Sequence, residues 1–491
     1  MNTRNHSYTR KSGAGRRQVL PLAAIGAAAL LAGCAQTAPA PPPPLPVPLH
    51  WKHAEPAPGW VDAAQARAWS QGQWWLLWPR DALLHGLIER VELNNQNLQV
   101  AAANVAAAQA LLRQQRAQAW PQLGLQLGQS RSGGDDRPAG GSASLALGAS
   151  WAPDLWGRIG EAVRAQAASV QASQADLAGA RLDAQASLAQ AYFALRASDA
   201  EIALLDEIIA GYQRSARITQ NRYDVGVAPR ADTFQAVSTL QSAQATRVAL
   251  QRARAAYEHA IALLVGEAPA GLSIAPAPWS AEVPALPAGL PSRLLLRRPD
   301  VAGAERAVTA ANAQIGVARS AYFPDLSLSA SLGAGGASLA DVVSAPALLW
   351  SLGLSLAQTV FDAGAREARV EQTLAARDAA VARYRQAALA AMKEVEDQLS
   401  ALATLAAQTA HVRAAADAAE RIEQQQLNRY QAGLSPYTEV VTAQASALSA
   451  RRNLLALQLQ RQQAVLALIQ ALGGGWQAPW QAEALAATPA P

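Results

Sequence analysis

The side chains that could carry chemistry are few and scattered. Six histidines, His6, His50, His53, His85, His259 and His411, make no spacing that would hold a metal ion. His50 and His53 are close together but lie beside a proline-rich tract. The glycine clusters at 133–141 and 473–475 lack the strand-loop-helix setting of a phosphate-binding loop. No nucleophile, base and orienting acid recur together, so the chain is expected to be no enzyme, with no cofactor and no metal. Two kinds of residue remain. One is Cys34, the single cysteine of the chain, which can form no internal disulfide. The other is a pair of carboxylates, Asp232 and Glu439, each six residues beyond a glycine, Gly226 and Gly433, in a segment that occurs twice.

Cys34 is placed by what precedes it. Arg4, Arg10, Lys11, Arg16 and Arg17 are followed by an apolar run from Val19 to Ala32, too short to span a bilayer and suited to a secretory signal. The run ends Leu31-Ala32-Gly33-Cys34, which resembles a bacterial lipobox and implies cleavage before Cys34 and lipidation of its thiol. Arg16-Arg17 also suggests twin-arginine export, but its flanking residues fit that signal poorly. Ala35 stands where an aspartate would imply inner-membrane retention, so the outer membrane of a Gram-negative cell is the expected destination. With the leader set aside, 36 basic residues face 36 acidic ones, and the net charge of +5 gives no support to a nucleic-acid partner. From Ala38 to Pro48 the chain is nearly all Pro and Ala, a stiff tether. The Trp-rich stretch from Trp51 to Trp78 reads as an irregular segment packed along the outside of the body.

The duplicated segment reads NRYDVGVAP from Asn221 to Pro229 and NRYQAGLSP from Asn428 to Pro436, at a constant offset of 207 residues. Each copy lies between long Ala-rich stretches with no other strong breaker, as a turn between two long helices would. Gly433 can close one helix in the left-handed conformation, Ser435 can cap the next and Pro436 suits its first position.

Each half also contains a change of period. A helical pattern starts at Asp81 and runs to Ala119, where Trp120-Pro121 stops it. Leu123, Leu125 and Leu127 then alternate with glutamine and glycine, and after a glycine-rich turn Leu145 and Leu147 alternate with small residues. Trp151 and Trp156, placed as interfacial aromatics, close this hairpin. In the second half Leu326, Leu328 and Leu332 alternate with serine, and Leu352, Leu354 and Leu356 return. Such one-faced strands suit a membrane barrel or a soluble hairpin packed on helices. Without an interrupting proline the next helix runs from about Arg158 to Tyr223, which at 1.5 Å per residue is roughly 100 Å. From Arg366 to Tyr430 apolar residues recur every seven positions, Leu374, Val381, Ala388, Val395 and Leu402, with Met392, Leu399 and Ala406 interleaved, the spacing of a left-handed supercoil. Four strands per chain cannot close a pore, and open edges are forbidden in lipid, so copies must associate, as three or as four.

These motifs together, with Arg297-Arg298-Pro299-Asp300, Phe323-Pro324-Asp325-Leu326, Leu155-Trp156-Gly157-Arg158 and Phe361-Asp362-Ala363-Gly364, resemble the TolC-like outer-membrane efflux factors, in their OprM/NodT lipoprotein branch. The resemblance spans the mature chain. It implies a mainly α fold with membrane β: a duplicated helix-hairpin-helix repeat that forms, as a homotrimer, a 12-stranded outer-membrane β-barrel continued by a long periplasmic α-helical barrel. It further implies a passive gated conduit for small molecules, working with a periplasmic adaptor and an inner-membrane pump of the RND or MFS type. Carried over by position, Val225, Gly226, Val227, Ala432, Gly433 and Leu434 are tip residues that meet the adaptor, and Asp232 and Glu439 are entrance carboxylates. The second acidic position of the family, three residues further on, is Gln235 and Thr442 here. The same acids also suit the first turn of any helix.

The expected organisation is a signal peptide at 1–33, a lipidated cysteine and tether at 34–50, an N-terminal segment at 51–80, a first repeat at 81–266, a linker at 267–291, a second repeat at 292–475 and a tail at 476–491. Strands are expected at about 122–130, 142–151, 325–333 and 348–358, and long helices at about 158–223, 230–264, 366–430 and 437–472. Two other readings use the same features: a type I protein-secretion conduit, and a periplasmic coiled-coil lipoprotein with no pore.

Overall fold

The computed structural model describes residues 51–53, 72–135, 137–284, 298–344 and 347–480. The signal peptide, Cys34, the tether, Arg297 and the end of the tail fall outside them. Elements in chain order are α1 (Ala82–Asn94), α2 (Gln96–Ala117), β1 (Gln122–Gly134), β2 (Arg137–Trp151), α3 (Arg158–Asp224) and α4 (Arg230–Leu264) in the first repeat. The second contains α5 (Pro299–Ser320), β3 (Asp325–Gly336), α6 (Leu339–Ser344), β4 (Ala347–Ala357), α7 (Ala365–Gln431) and α8 (Tyr437–Ala471). The fold is mainly helical, with both hairpins in one sheet. β1, β3 and the helices α3 and α7 extend slightly beyond their expected ends, and α6 was not foreseen. The short α6 occupies the β3–β4 connection, where the second hairpin is longer than the first. The chain divides into two compact units that cut across the repeats rather than between them.

One unit comprises Gln114–Ala165 and Ala311–Ala376. Its four strands are antiparallel in the order β1-β2-β3-β4, so β2 and β3 join the two repeats. The register aligns Leu125 with Leu147, Leu147 with Leu332 and Leu332 with Trp350, and Leu328 faces Leu354. Since directly paired residues share a face, these leucines form one continuous apolar surface. Leu125 is 73% exposed and Leu354 72%, although burying a leucine is worth about 1.5–3 kcal/mol. The opposite face carries Gly, Ala and Ser almost throughout, tied by Ser130–Ser142 and Ser331–Ser351 hydroxyl bonds of 2.8 and 2.9 Å. Below the strands, the Trp156 indole donates to the Pro324 carbonyl at 2.7 Å and stacks on Phe323 at 5.0 Å, while Asp154 accepts from the amides of Ile159 and Gly160 to start α3. Among the described residues no helix is long and apolar enough to cross a membrane.

The other unit holds the remaining described residues. Its core corrects the expectation for the end of the Trp-rich stretch, residues 72–78; residues 54–71 of that stretch lie outside the described residues. Trp74, Trp75 and Leu77 of a single 3₁₀ turn (Trp74–Leu77), with Trp78 just after it, are buried with Leu84, Leu87 and Ile88 of α1, Leu188 and Leu195 of α3 and Val465, Leu466 and Ile469 of α8. Four large apolar side chains so close together present too much surface to be left outside. The Trp74 indole is satisfied by Gln185 at 3.0 Å. Asp81 caps α1 through the Leu84 amide and accepts from the Tyr192 hydroxyl at 2.7 Å. The helix expected from Asp81 to Ala119 is broken at Asn95, whose side chain caps α2 by accepting from Asn97 and Leu98. Further along, Asp199 is buried and holds both Arg196 (3.1 Å) and Arg254 (2.5 Å), which in turn donate to the Ala275 and Ile274 carbonyls of the linker.

In α7 the heptad continues to the tip: Ala388, Val395, Leu402, Thr409, Ala416, Glu423 and Tyr430 are buried or half-buried. A second row, Tyr384, Ala391, Gln398, Leu405, Val412, Ala419 and Gln426, is also buried or half-buried; of the expected interleaved residues Met392 and Leu399 are half-buried, Leu399 against the core, and Ala406 is exposed. An Ala-rich helix offers too little apolar contrast to fix the phase.

Candidate functional site: the paired tips

Both turns are built the same way. Gly226 and Gly433 each have φ 75°, the left-handed region that a side chain would strain. The Gly226 amide donates to the Tyr223 carbonyl and the Val227 amide to the Arg222 carbonyl, both at 2.9 Å; Gly433 to Tyr430 (3.0 Å) and Leu434 to Arg429 (2.8 Å) repeat the pattern. These are the two bonds of a Schellman ending. Pro229 and Pro436 then stand just outside the next helix, with φ −71° in both, and Arg230 and Tyr437 are the first helical residues. This corrects the reading of the second turn: Pro436 is the capping residue rather than the first helical one, and the Ser435 hydroxyl makes no cap.

The tips are joined by a residue whose repetition was visible but whose role was not. Arg222, from the shared Asn-Arg-Tyr lead-in, donates through Nη1 to the carbonyls of Tyr430 and Gln431, both at 3.2 Å. Its guanidinium lies 4.9 Å from the centre of the Tyr430 ring. The Tyr430 carbonyl otherwise accepts from the Gly433 amide of the turn and the Gln431 carbonyl has no helical donor, and both sit at the negative end of the helix dipole, so a cation there both bonds them and offsets their charge. Tyr430 is buried edge-to-face against Tyr437 at 5.0 Å, with Val440 and Ala236 around them.

The six predicted adaptor-contact residues, Val225, Gly226, Val227, Ala432, Gly433 and Leu434, all lie exposed at these turns. The two carboxylates differ. Asp232 is half-buried beside the tyrosine pair, where burial pushes the Tyr430 phenol up and the Asp232 carboxylate raises it further, against the opposing pull of Arg222. Tyr437 is likewise pushed up to about 12 by burial, then by Tyr430 and Asp232. Glu439 is exposed. Higher in the same seam, burial raises the Glu423 carboxyl against the opposing pull of Arg451.

The Arg-Pro-Asp motif lies away from the tips. Pro299 starts α5, and Arg298 is buried, holding Asp300 through two bonds (3.0 and 2.8 Å), Glu394 of α7 (2.7 Å) and the Ala471 carbonyl at the end of α8 (2.9 Å). The first repeat has the same joint: Asn95 donates to the Leu264 carbonyl at the end of α4, at 2.8 Å. Leu264 and Ala471 are again 207 residues apart. This duplicated joint was not read from the sequence, because Asn95 and Arg298 share no chemistry beyond an N–H donor.

A four-stranded amphipathic sheet, doubled long helices and glycine-ended tips define an outer-membrane channel protein. The chain belongs to the outer membrane efflux protein family, which it matches over residues 87–267 and 290–474, once in each repeat. It is similar to the pyoverdine export outer membrane protein OpmQ of Pseudomonas aeruginosa, 33% identical over 473 residues, which are 94% of this chain and 98% of that one. The toluene efflux pump outer membrane protein TtgF of Pseudomonas putida is 30% identical over 410 residues, 82% of this chain and 85% of TtgF. Among solved structures, that of the outer-membrane channel OprN superposes with a TM-score of 0.80 at 28% identity, over 90% of this chain and all of OprN. The protein therefore works in efflux, at the outer membrane of a Gram-negative bacterium, and the family it belongs to consists of channel proteins rather than enzymes.

Proposed function

We propose that three copies assemble into a passive, gated conduit that exports small molecules, each chain giving four strands to a twelve-stranded barrel and two helical repeats to the wall of a periplasmic duct. The observation that carries this reading is the sheet: one unbroken leucine face exposed to the outside and two unpaired edges, β1 and β4, which lipid does not tolerate unless other copies complete them. Lipid is the solvent that matches such a face, and the small, serine-bearing face is left for water. Lipidation of Cys34 holds the mature chain to the same membrane.

The exposed turns at Val225-Gly226-Val227 and Ala432-Gly433-Leu434 meet the helical hairpins of a periplasmic adaptor, glycine allowing another backbone close approach. An inner-membrane pump of the RND or MFS type supplies the energy. Asp232 and Glu439 are the carboxylates of the closed entrance, and opening separates the tips that Arg222 joins. Export of pyoverdine and of toluene by the relatives supports small organic molecules as cargo.

Purified mature protein in a mild detergent should have the mass of a trimer and pass ions through a planar bilayer at low conductance. Arg222→Ala should raise that conductance. A monomer that conducts nothing overturns the reading.

A further inference from the structure

The two hairpins of the sheet differ at the end remote from the long helices. β1 and β2 are joined by a tight turn between Gly134 and Arg137, whereas α6 fills the connection from β3 to β4. Three small residues fix where α6 goes. The register puts Gly141, Ala143 and Gly336 on the leucine face, Ala143 paired with Gly336 and two residues along β2 from Leu145. A side chain at Gly336 would meet Cβ of Asp341 at 2.7 Å, and one at Gly141 would meet the Ala337 carbonyl oxygen, also at 2.7 Å. Ala143 and Val342 are buried. The connection therefore folds down the leucine side of the wall, onto β2 and β3, and not onto the opposite face of Gly, Ala and Ser.

The free side of this helix is apolar. Asp341 and Val342 face the strands, so at about 100° per residue Leu339, Ala340 and Val343 turn away from them. Val343 is 83% exposed and Leu339 38%. The polar side chains are occupied locally: Asp341 accepts from the Ser338 amide and hydroxyl, both at 2.9 Å, and the Ser344 hydroxyl donates to the Ala340 carbonyl at 2.7 Å. A surface helix in water carries its polar groups outward, and α6 does the reverse. Its level is equally specific. The outward leucines stop at the row Leu127, Leu145, Ala334 and Leu348; the next row is Gln129, Ala143 and Gly336, and α6 lies on it. From Leu348 to Leu356 β4 covers about 27 Å, which at a tilt near 40° is about 21 Å of membrane, short of the ~25 Å apolar band of such barrels.

We infer that α6 is a membrane-interface helix: Leu339, Ala340 and Val343 sit at the boundary of acyl chains and headgroups in the outer leaflet and carry the apolar belt of the second hairpin beyond its last leucine. The occupant of this face is lipid. The face continues the leucine surface, and it stands over β2 and β3, away from the β1 and β4 edges at which other copies pair. The inference rests on the membrane-barrel reading above. Its consequence is that the β3–β4 connection is held on the outside of the wall and does not cover the exit.

Nitroxide labels read the depth directly. Full-length protein carrying Val343→Cys, reconstituted in vesicles of phosphatidylethanolamine and phosphatidylglycerol, should have a label relaxed more by oxygen than by a water-soluble nickel chelate. Its depth should be shallower than that of a label at Leu352→Cys, on the outward face of β4. A label at Ser351→Cys, on the opposite face, should favour nickel, and the parent protein labelled in parallel gives the contribution of Cys34. Relaxation at Val343→Cys that favours nickel as Ser351→Cys does would place α6 in water; the inference then falls and the barrel stands. Low access to both reagents would mean that a second copy covers the helix, and overturns the inference equally. A label at Leu352→Cys that favours nickel removes the barrel reading itself. Ala340→Cys, on the same side of α6, repeats the measurement should Val343→Cys fail to assemble.

Discussion

The two repeats fasten the end of their last helix to the same place by different means. In the first, a neutral amide, Asn95, takes the Leu264 carbonyl; in the second a guanidinium, Arg298, takes the Ala471 carbonyl and two carboxylates besides. The backbone geometry has been kept through the duplication while the electrostatics have not. Position and donor are what the fold needs at this joint, and charge is what each repeat can vary. The tips repeat the lesson, with φ 75° at both glycines and different neighbours at Asp232 and Glu439.

Four measurements break or sharpen this comparison. Arg298→Ala removes three bonds to the half-exposed carboxylates of Asp300 and Glu394 and one to the Ala471 carbonyl and should cost about 2–3 kcal/mol more than Asn95→Ala, which loses only neutral hydrogen bonds of about 1 kcal/mol each. Denaturant unfolding of the two variants would show the asymmetry, and equal losses would mean that the charge of Arg298 contributes nothing. On the sheet the repeats should instead behave alike. Leu125→Arg in β1 and Leu354→Arg in β4 should each cost about 2–4 kcal/mol at mid-bilayer, read as a fall in heat-modifiable oligomer in outer-membrane fractions.

Gly226→Ala and Gly433→Ala force a side chain to the same positive φ and should each destabilise their turn by about 1–2 kcal/mol, seen as faster local hydrogen exchange at the tips. Unequal effects would mean that the neighbours, not the backbone, set the strain. The smallest effect concerns Glu423, whose counterpart in the first repeat is Ala216. Burial raises its pKa in the folded chain above the ordinary carboxyl value, so the folded state holds its proton more tightly than the unfolded one. Its contribution to stability is therefore present at pH below the unfolded pKa and declines as pH rises through the folded one. Glu423→Gln should flatten the pH dependence of melting from about pH 4 upward and leave the first repeat's seam unchanged.

Much of this architecture is legible in the sequence, for identifiable reasons. The hairpins announce themselves because Leu123-x-Leu125-x-Leu127 has a period that no helix shares, and the proline stops at Pro121 and Pro324 fix where that period begins. The tip is legible because glycine and proline punctuate it twice. Features made by contact were hidden. Asn95 breaks a helix by bonding locally and across to Leu264, and Asp199 collects Arg196 and Arg254 from different helices. The Arg222 joint needed knowledge of which helix faces which, although its recurrence in both Asn-Arg-Tyr lead-ins was the available signal.

The inward face of the sheet has a consequence for traffic. Twelve strands about 4.8 Å apart and tilted near 40° would give a cylinder roughly 24 Å across between backbones. Residues such as Gly124, Gly148, Ser329 and Gly353 take almost nothing from that width. The larger side chains on that face include Gln122, Gln126 and Leu349, so a bulky aromatic introduced at Gly124 or Gly148 would narrow the bore where the native lining leaves it wide.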